Sequence, residues 1–184
     1  MLLHELLDAD WQRLLATGLE TDRPRRWQDS FSPRFASVVL IRVAYRLQQR
    51  GWRRLAKLAS LANFLLFGIE VPASLVIGPG LVMPHTHGTV LGAARIGSNV
   101  TIFHQVTLGA KRVDFGFDPA LRPQIGDGVT LSVGAKVLGS VRIGDGALIG
   151  ANAVVLRDVP AGSTAVGVPA RILNEEDEQG KGSA

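Results

Sequence analysis

The sequence predicts a mostly β fold, a parallel β-helix of six-residue repeats, preceded by a short α-helical region. Three observations carry this. Aliphatic residues recur every six positions at Val71, Ile77 and Met83, then at Val90, Ile96, Ile102 and Leu108, and again at Ile125, Leu131, Val137, Ile143, Ile149 and Val155. Four residues after most of them stands a second small apolar side chain: Ala94, Val100, Val106, Val129, Ala135, Val141, Ala147, Ala153 and Val159. Glycine often follows the aliphatic residue, as in "IGSNV", "IGDGV", "IGDGA" and "IGANA". Six is neither the period of an amphipathic helix nor that of a simple strand; it is the period of a coil with one short strand and one corner per hexad. Three hexads close a triangular turn, stacked on the next at about 4.8 Å. The aliphatic residues fill the bore, and glycine or Asn/Asp relieves the corners.

Residues 1–68 have a helical pattern instead. "LLHELLDADWQRLLATG" puts Leu2, Leu3, Leu6, Leu7, Trp11, Leu14 and Leu15 on one face, with Gly18 as the stop. "DRPRRWQDSFSP" is a connector. Ser32 and Pro33 have the form of an N-cap and first-turn proline opening a helix through "FASVVLIRVAYRLQQR". Gly51 interrupts, and "WRRLAKLASLANFLLF" forms another helix. The segment is either a cap on the main domain or an oligomerisation module. Residues 69–172 form the repeat domain, and 173–184 a polar C-terminal tail.

The repeat slips twice. Met83 to Val90 is seven residues, and Leu108 to Ile125 is seventeen, eleven more than a hexad. A stacked coil cannot hold extra residues inside, so "MPHTHG" must bulge outward and "GAKRVDFGFDPALRPQ" must leave as a loop. Polar residues occupy both, as expected where something is built. His85 and His104 are each third in their hexads and three hexads apart, so their side chains are expected one above the other. Glu70, fifteen residues before His85, lies one coil earlier and near the same corner.

Composition narrows the function. There is no cysteine among 184 residues, which excludes disulfides, thiolate metal sites and a cysteine nucleophile. The net charge of +4 mildly favours anionic partners, but the basic residues form short local groups rather than a nucleic-acid stripe. "LLHELLDAD" carries acids and no basic leader, and "LASLANFLLFGI" is too short to span a bilayer, so the expected location is the cytoplasm.

The motifs "IGPGLVMPHTHGTVLG", "VTLGAK" and "GAKVLGSVRIGDGALIGANAVVLRDVPAGSTAVGVPAR" make the chain similar to hexapeptide-repeat acyltransferases, and within them to the serine acetyltransferases. "GVPAR" is typical of the wider superfamily and points to acyl-CoA chemistry rather than to one acceptor. The resemblance implies a left-handed parallel β-helix, an exception to the right-handed crossover rule, working as a homotrimer or a dimer of trimers. A single prism would leave apolar outer residues such as Phe103 and Leu138 in water, which fits such association. It implies acetyl-CoA as co-substrate, no metal, and direct transfer with His85 as general base and Glu70, an aspartate in the family, orienting it. Arg122, His104 and His87 fall at the acceptor. Gly109, Ala110, Val133, Gly134 and Ala151 would line the coenzyme arm, with amides near Gly109 and Ala110 as oxyanion donors. Arg171, with Arg157 or Lys136, would meet the phosphates.

Two departures bear on the acceptor and a third on a partner. Pro84 stands where the family has an aspartate that helps hold the amino acid. Leu121-Arg122-Pro123 stands where it has Arg-His before proline. "NEEDEQGKGSA" lacks the terminal isoleucine by which some members dock into a sulfhydrylase, so no such complex is expected. Three functions follow: serine O-acetyltransferase, serving cysteine biosynthesis; a sugar or polysaccharide O-acetyltransferase of the same mechanism; and a zinc site resembling the γ-type carbonic anhydrases, built from His85, His87 and His104.

Overall fold

A computed structural model describes residues 1–17, 23–114 and 116–173. The expected stop at Gly18 and the polar tail from 174 onward lie outside the described residues. The chain opens with three helices, α1 (Leu3–Ala16), α2 (Ala36–Gln49) and α3 (Arg53–Phe67). Two features of this region depart from expectation. The connector makes a 3-10 turn at Trp27–Phe31, and Ser32 and Pro33 stay in the turn before α2 rather than starting it. The Ser32 carbonyl accepts the N–H groups of Phe35 (2.9 Å) and Ala36 (2.8 Å), closing that turn, and α2 begins at Ala36.

Short strands follow. They are β1 (Ile69–Glu70), β2 (Thr89–Leu91), β3 (Arg95–Ile96), β4 (Thr101–Ile102), β5 (Thr107–Gly109), β6 (Gln124–Ile125) and β7 (Thr130–Leu131). Next come β8 (Lys136–Leu138), β9 (Arg142–Ile143), β10 (Leu148–Ile149), β11 (Val154–Val155), β12 (Thr164–Val166) and β13 (Arg171–Ile172). They sort into three sheets that the chain visits in rotation. The first holds β1-β2-β5-β8-β11, the second β3-β6-β9, and the third β4-β7-β10-β12-β13. All pairings are parallel except β12 with β13.

The register explains the periodicity. Val137 lies beside Val155, eighteen residues on, so three hexads make one pass. Leu108 lies beside Val137, twenty-nine residues on, and the eleven extra residues leave as a loop between β5 and β6. Each aliphatic repeat residue from Ile96 onward is buried, with Ile102, Leu108, Leu131, Val137 and Ile149 at 0 % exposure. The small partners Val100, Val106, Val129, Ala135 and Ala153 are equally buried. The expectation fails at one place. Leu91, not Val90, pairs with Leu108 and enters the core, and Ala93 replaces Ala94 there. The segment after Met83 therefore carries two extra residues and the next hexad is one short, a shift that keeps hydrophobic residues inward at both ends.

The helices are clamped to the first pass. Asp10 and Arg42 are buried at 0 % and 2 % exposure. Arg42 Nε and Nη2 each lie 2.8 Å from an Asp10 oxygen, and the same guanidinium donates to the carbonyls of Ile77 (2.6 Å) and Gly78 (2.7 Å). Asp10 Oδ1 also accepts the Leu81 N–H at 2.8 Å. A buried pair survives desolvation only when its remaining donors and acceptors are satisfied, as they are here. This network fixes where α1 and α2 sit against residues 77–81.

Candidate active site

The bulge after Met83 is short and tied down. Thr86 Oγ1 donates to the Phe67 carbonyl (2.9 Å), Gly88 N–H to the Gly68 carbonyl (2.9 Å), and Gln105 N–H to the His87 carbonyl (3.1 Å). Gly68 closes α3 in the left-handed region (φ 63°), and a Cβ there would stand 2.5 Å from Nδ1 of His87. Only glycine lets the His87 ring settle over the end of α3. The bulge thus presents His85 outward from an anchored backbone.

His85 meets His104 edge to face, with ring centroids 5.5 Å apart. His85 is exposed, while Nδ1 of His104 is buried without a hydrogen-bond partner. A buried polar nitrogen left unpaired is a position that a bound hydroxyl or water would satisfy. A cavity of about 620 Å³ opens here, lined among others by Arg34, Leu66, Pro84, His85, His87 and His104. A second, of about 280 Å³, opens beside it against Leu14, Thr17, Arg34, Pro84, His85 and Phe103. Arg34 carried no signal in the sequence, because it lies in the turn before α2, outside the repeat.

Along the same edge, between the third and first sheets, the chain stacks its corners. Gly134 N–H donates to the His104 carbonyl (3.0 Å), and Asn152 N–H to the Val133 carbonyl (2.8 Å). Gly134 has φ 71°, and a Cβ on it would stand 2.1 Å from Asn152 Oδ1. Val133, Gly134 and Ala151 therefore continue a strip that begins at His85 and His104. Arg171 is exposed on β13 and shares a cavity of about 580 Å³ with Arg157. It lies four to five strand spacings from His85, on the order of 20 Å. Lys136 Nζ is held by the Gln105 carbonyl at 2.5 Å.

Other expected residues lie apart from His85. Glu70 is exposed on β1, paired through its backbone with Val90, and makes no hydrogen bond to an imidazole among the described residues. Gly109 and Ala110 stand at the far end of β5, on the edge between the first and second sheets. The width of a sheet, on the order of 10 Å, separates them from the histidine edge of their own chain.

Arg122 belongs to the extruded loop. It is 9 % exposed, and it hydrogen-bonds Asp114 Oδ2 through Nε (3.1 Å) and Nη2 (2.8 Å). It also donates to the carbonyls of Asp114 and Gly92, both at 3.1 Å, and stacks 3.8 Å over the Phe117 ring. Most of its donors hold the loop shut on its own base. Burial raises the Asp114 pKa, but the Arg122 guanidinium and the Asp118 amide outweigh it and hold the carboxyl below its ordinary value. Among the described residues no group of three His, Cys, Asp or Glu side chains could hold a metal ion, and no helix is long and apolar enough to cross a membrane. The zinc set of His85, His87 and His104 does not form within the chain; His87 turns to Gly68 instead.

Residues 122–157 match the family model described as bacterial transferase hexapeptide (six repeats). The chain is 41 % identical over 146 residues to the serine acetyltransferase of Helicobacter pylori (strain J99), covering 78 % of this chain and 83 % of that one. The chain belongs to the serine acetyltransferase family. It is also 39 % identical over 135 residues to the Mycobacterium tuberculosis serine acetyltransferase, covering 73 % of this chain and 58 % of that one. The chain thus spans little more than half the length of that relative. The crystal structure of Neisseria gonorrhoeae serine acetyltransferase in complex with serine superposes with a TM-score of 0.79 at 32 % identity, over 92 % of this chain and 68 % of that one.

Proposed function

We propose that this chain transfers the acetyl group of acetyl-CoA to the hydroxyl of serine. The observation that carries the proposal is the anchored bulge, which turns one exposed imidazole, His85, into a cavity beside the orphan nitrogen of His104. In this mechanism an imidazole nitrogen of His85 takes the hydroxyl proton as the oxygen attacks the thioester carbonyl. The C–O bond forms, the tetrahedral oxyanion collapses, and the C–S bond breaks. The CoA thiolate leaves and recovers the proton from the imidazolium, so atoms balance without a covalent enzyme intermediate or a metal ion. Glu70 is assigned the orienting role, and the small residues Val133, Gly134 and Ala151 the path of the pantetheine arm, with Arg171 at its phosphate end.

The coil is assigned a left-handed winding, and the assembly is a homotrimer, on its own or doubled. What supports the trimer is the division of equipment between edges. His85 stands on one edge, whereas the amides of Gly109 and Ala110 and the Asp114–Pro123 loop stand on the other. A threefold arrangement sets one edge against its neighbour's opposite edge. Exposed Leu58, Leu65 and Leu66 on α3 also call for cover. The test is thiol release from acetyl-CoA with serine, homoserine and several neutral sugars as acceptors. Serine is expected to be fastest; a sugar that outpaces it by tenfold or more overturns the assignment.

A further inference from the structure

The two cavities that flank His85 have three residues in common: Arg34, Pro84 and His85. Arg34 is exposed and forms no hydrogen bond or ion pair with the described residues, and neither cavity is lined by a carboxylate. Its backbone is nonetheless rigid. Phe35, the next residue, is 1 % exposed and packs edge to face on Trp11 at 5.3 Å, while the Ser32 carbonyl holds the N–H groups of Phe35 and Ala36. The Asp10–Arg42 network fixes that helical layer against residues 77–81. A guanidinium with free donors thus stands on a fixed base next to the general base. Arg122 offers a contrast, since its donors are committed to Asp114 and Gly92.

We propose that Arg34 binds the carboxylate of the acceptor, and so selects a hydroxy acid over a neutral hydroxyl compound. This rests on the acetyl-transfer reading and names the anchor within it. A planar fork of N–H donors matches a carboxylate in two-point contact. Gripping the acid end leaves the hydroxyl of a small hydroxy acid within reach of His85. Pro84 brings no charge to compete for the same group. The other anion in the reaction, the phosphates of CoA, belongs to the far end of a long arm, on the order of 20 Å away if the arm follows the corner strip.

Steady-state kinetics with L-serine, L-serinamide and acetyl-CoA separate these sources. Arg34→Gln is expected to raise KM for serine about 10- to 100-fold, leave kcat within about threefold, and leave KM for acetyl-CoA unchanged. Wild type should strongly prefer serine to serinamide, and the variant should use both nearly alike; Arg34→Lys should recover part of the preference. A thermal melt and circular dichroism confirm that the exposed substitution leaves the fold intact. Unchanged KM for serine in a folded variant overturns the assignment of Arg34 alone. A raised KM for acetyl-CoA that disappears with 3′-dephospho-acetyl-CoA also overturns it and assigns Arg34 to a phosphate. A wild type inert on serine but active on a neutral sugar overturns both this inference and the acceptor on which it rests.

Discussion

The two long edges of the first sheet are cut from one repeat and carry opposite equipment. On the edge entering the sheet, the chain turns at 83–88, 103–106, 132–135 and 150–153, and side chains do the presenting: His85, His104 and, above them, the tight corner of Gly134 on Asn152. On the edge leaving it, side chains recede. Gly109 faces open space, and the eleven excess residues leave as a loop pinned by Arg122 and Asp114. Between them the bore is nearly invariant, with Leu108, Val137 and Val155 stacked in register. A coil whose interior is filled by one repeating set of side chains can vary only at its corners. One corner carries His85 and His104, the other the extruded loop and the amides of Gly109 and Ala110; under the proposed mechanism neither edge of a single chain is a complete site.

Breaking the histidine edge should have the largest effect. His85→Ala is expected to lower turnover by about a hundredfold or more, while CoA binding, measured by calorimetry, stays close to wild type. Near-normal turnover would remove His85 from the mechanism. A next experiment joins the two edges. His85→Ala and Arg122→Ala are each expected to be impaired alone, the second by about tenfold because the loop loses its charge-assisted clasp. Co-assembled at equal ratio, a trimer with shared sites regains about a quarter of its sites in intact form, since each interface draws its two edges independently. Mixed assemblies no more active than the sum of the single variants would place both residues of each site in one chain.

How much of this was legible depends on whether a residue obeys the repeat. The bore residues from Ile96 to Val155 announce themselves by spacing, and so does the length of the loop, because a register is a count. His85 over His104 follows from the same arithmetic. At Val90 the count is ambiguous because "TVL" offers two adjacent aliphatic residues, and only the pairing of Leu91 with Leu108 shows which one the core accepts. Asp10 and Arg42 look like solvated positions on amphipathic helices; their burial depends on a partner segment thirty or more residues away. Arg34 is equally silent, being placed by the packing of Phe35 rather than by any pattern of its own. Within the loop, Arg122 stood out in the sequence by its place before Pro123, but its partner Asp114 did not, since an acid eight residues away signals nothing until the loop closes.

Glu70 sharpens the comparison from the side of the histidine edge. It is exposed one pass before His85, and the orienting role requires its carboxylate to reach an imidazole when substrates are bound. Glu70→Gln is then expected to lower kcat by about tenfold, less than His85→Ala, because it removes orientation but leaves the base. Glu70→Asp should keep substantial activity. Identical losses in the glutamine and aspartate variants would mean that chain length or packing at β1, not charge, is what matters there.

The smallest effect belongs to the loop edge and is read through pH. The Asp114 carboxyl titrates below its ordinary value when the loop is closed: burial pushes it up, but the Arg122 hydrogen bonds and the Asp118 amide pull it down further. A depressed carboxyl gives its contribution in full above the value of the open loop, about 3.9, and loses it as pH falls through the lower value of the closed loop. Hydrogen exchange of the Asp118 amide, held by Asp114 at 2.8 Å, should therefore show constant protection across the neutral range, once intrinsic rates are corrected. Protection should drop by a few-fold only on acidification below about pH 4. Asp114→Asn removes the charge at every pH, so its loop should exchange faster already at pH 7 and show no further acid step. Protection that varies between pH 6 and 8 would point to an imidazole acting on the loop, and the two edges would then be coupled within one chain rather than across a subunit boundary.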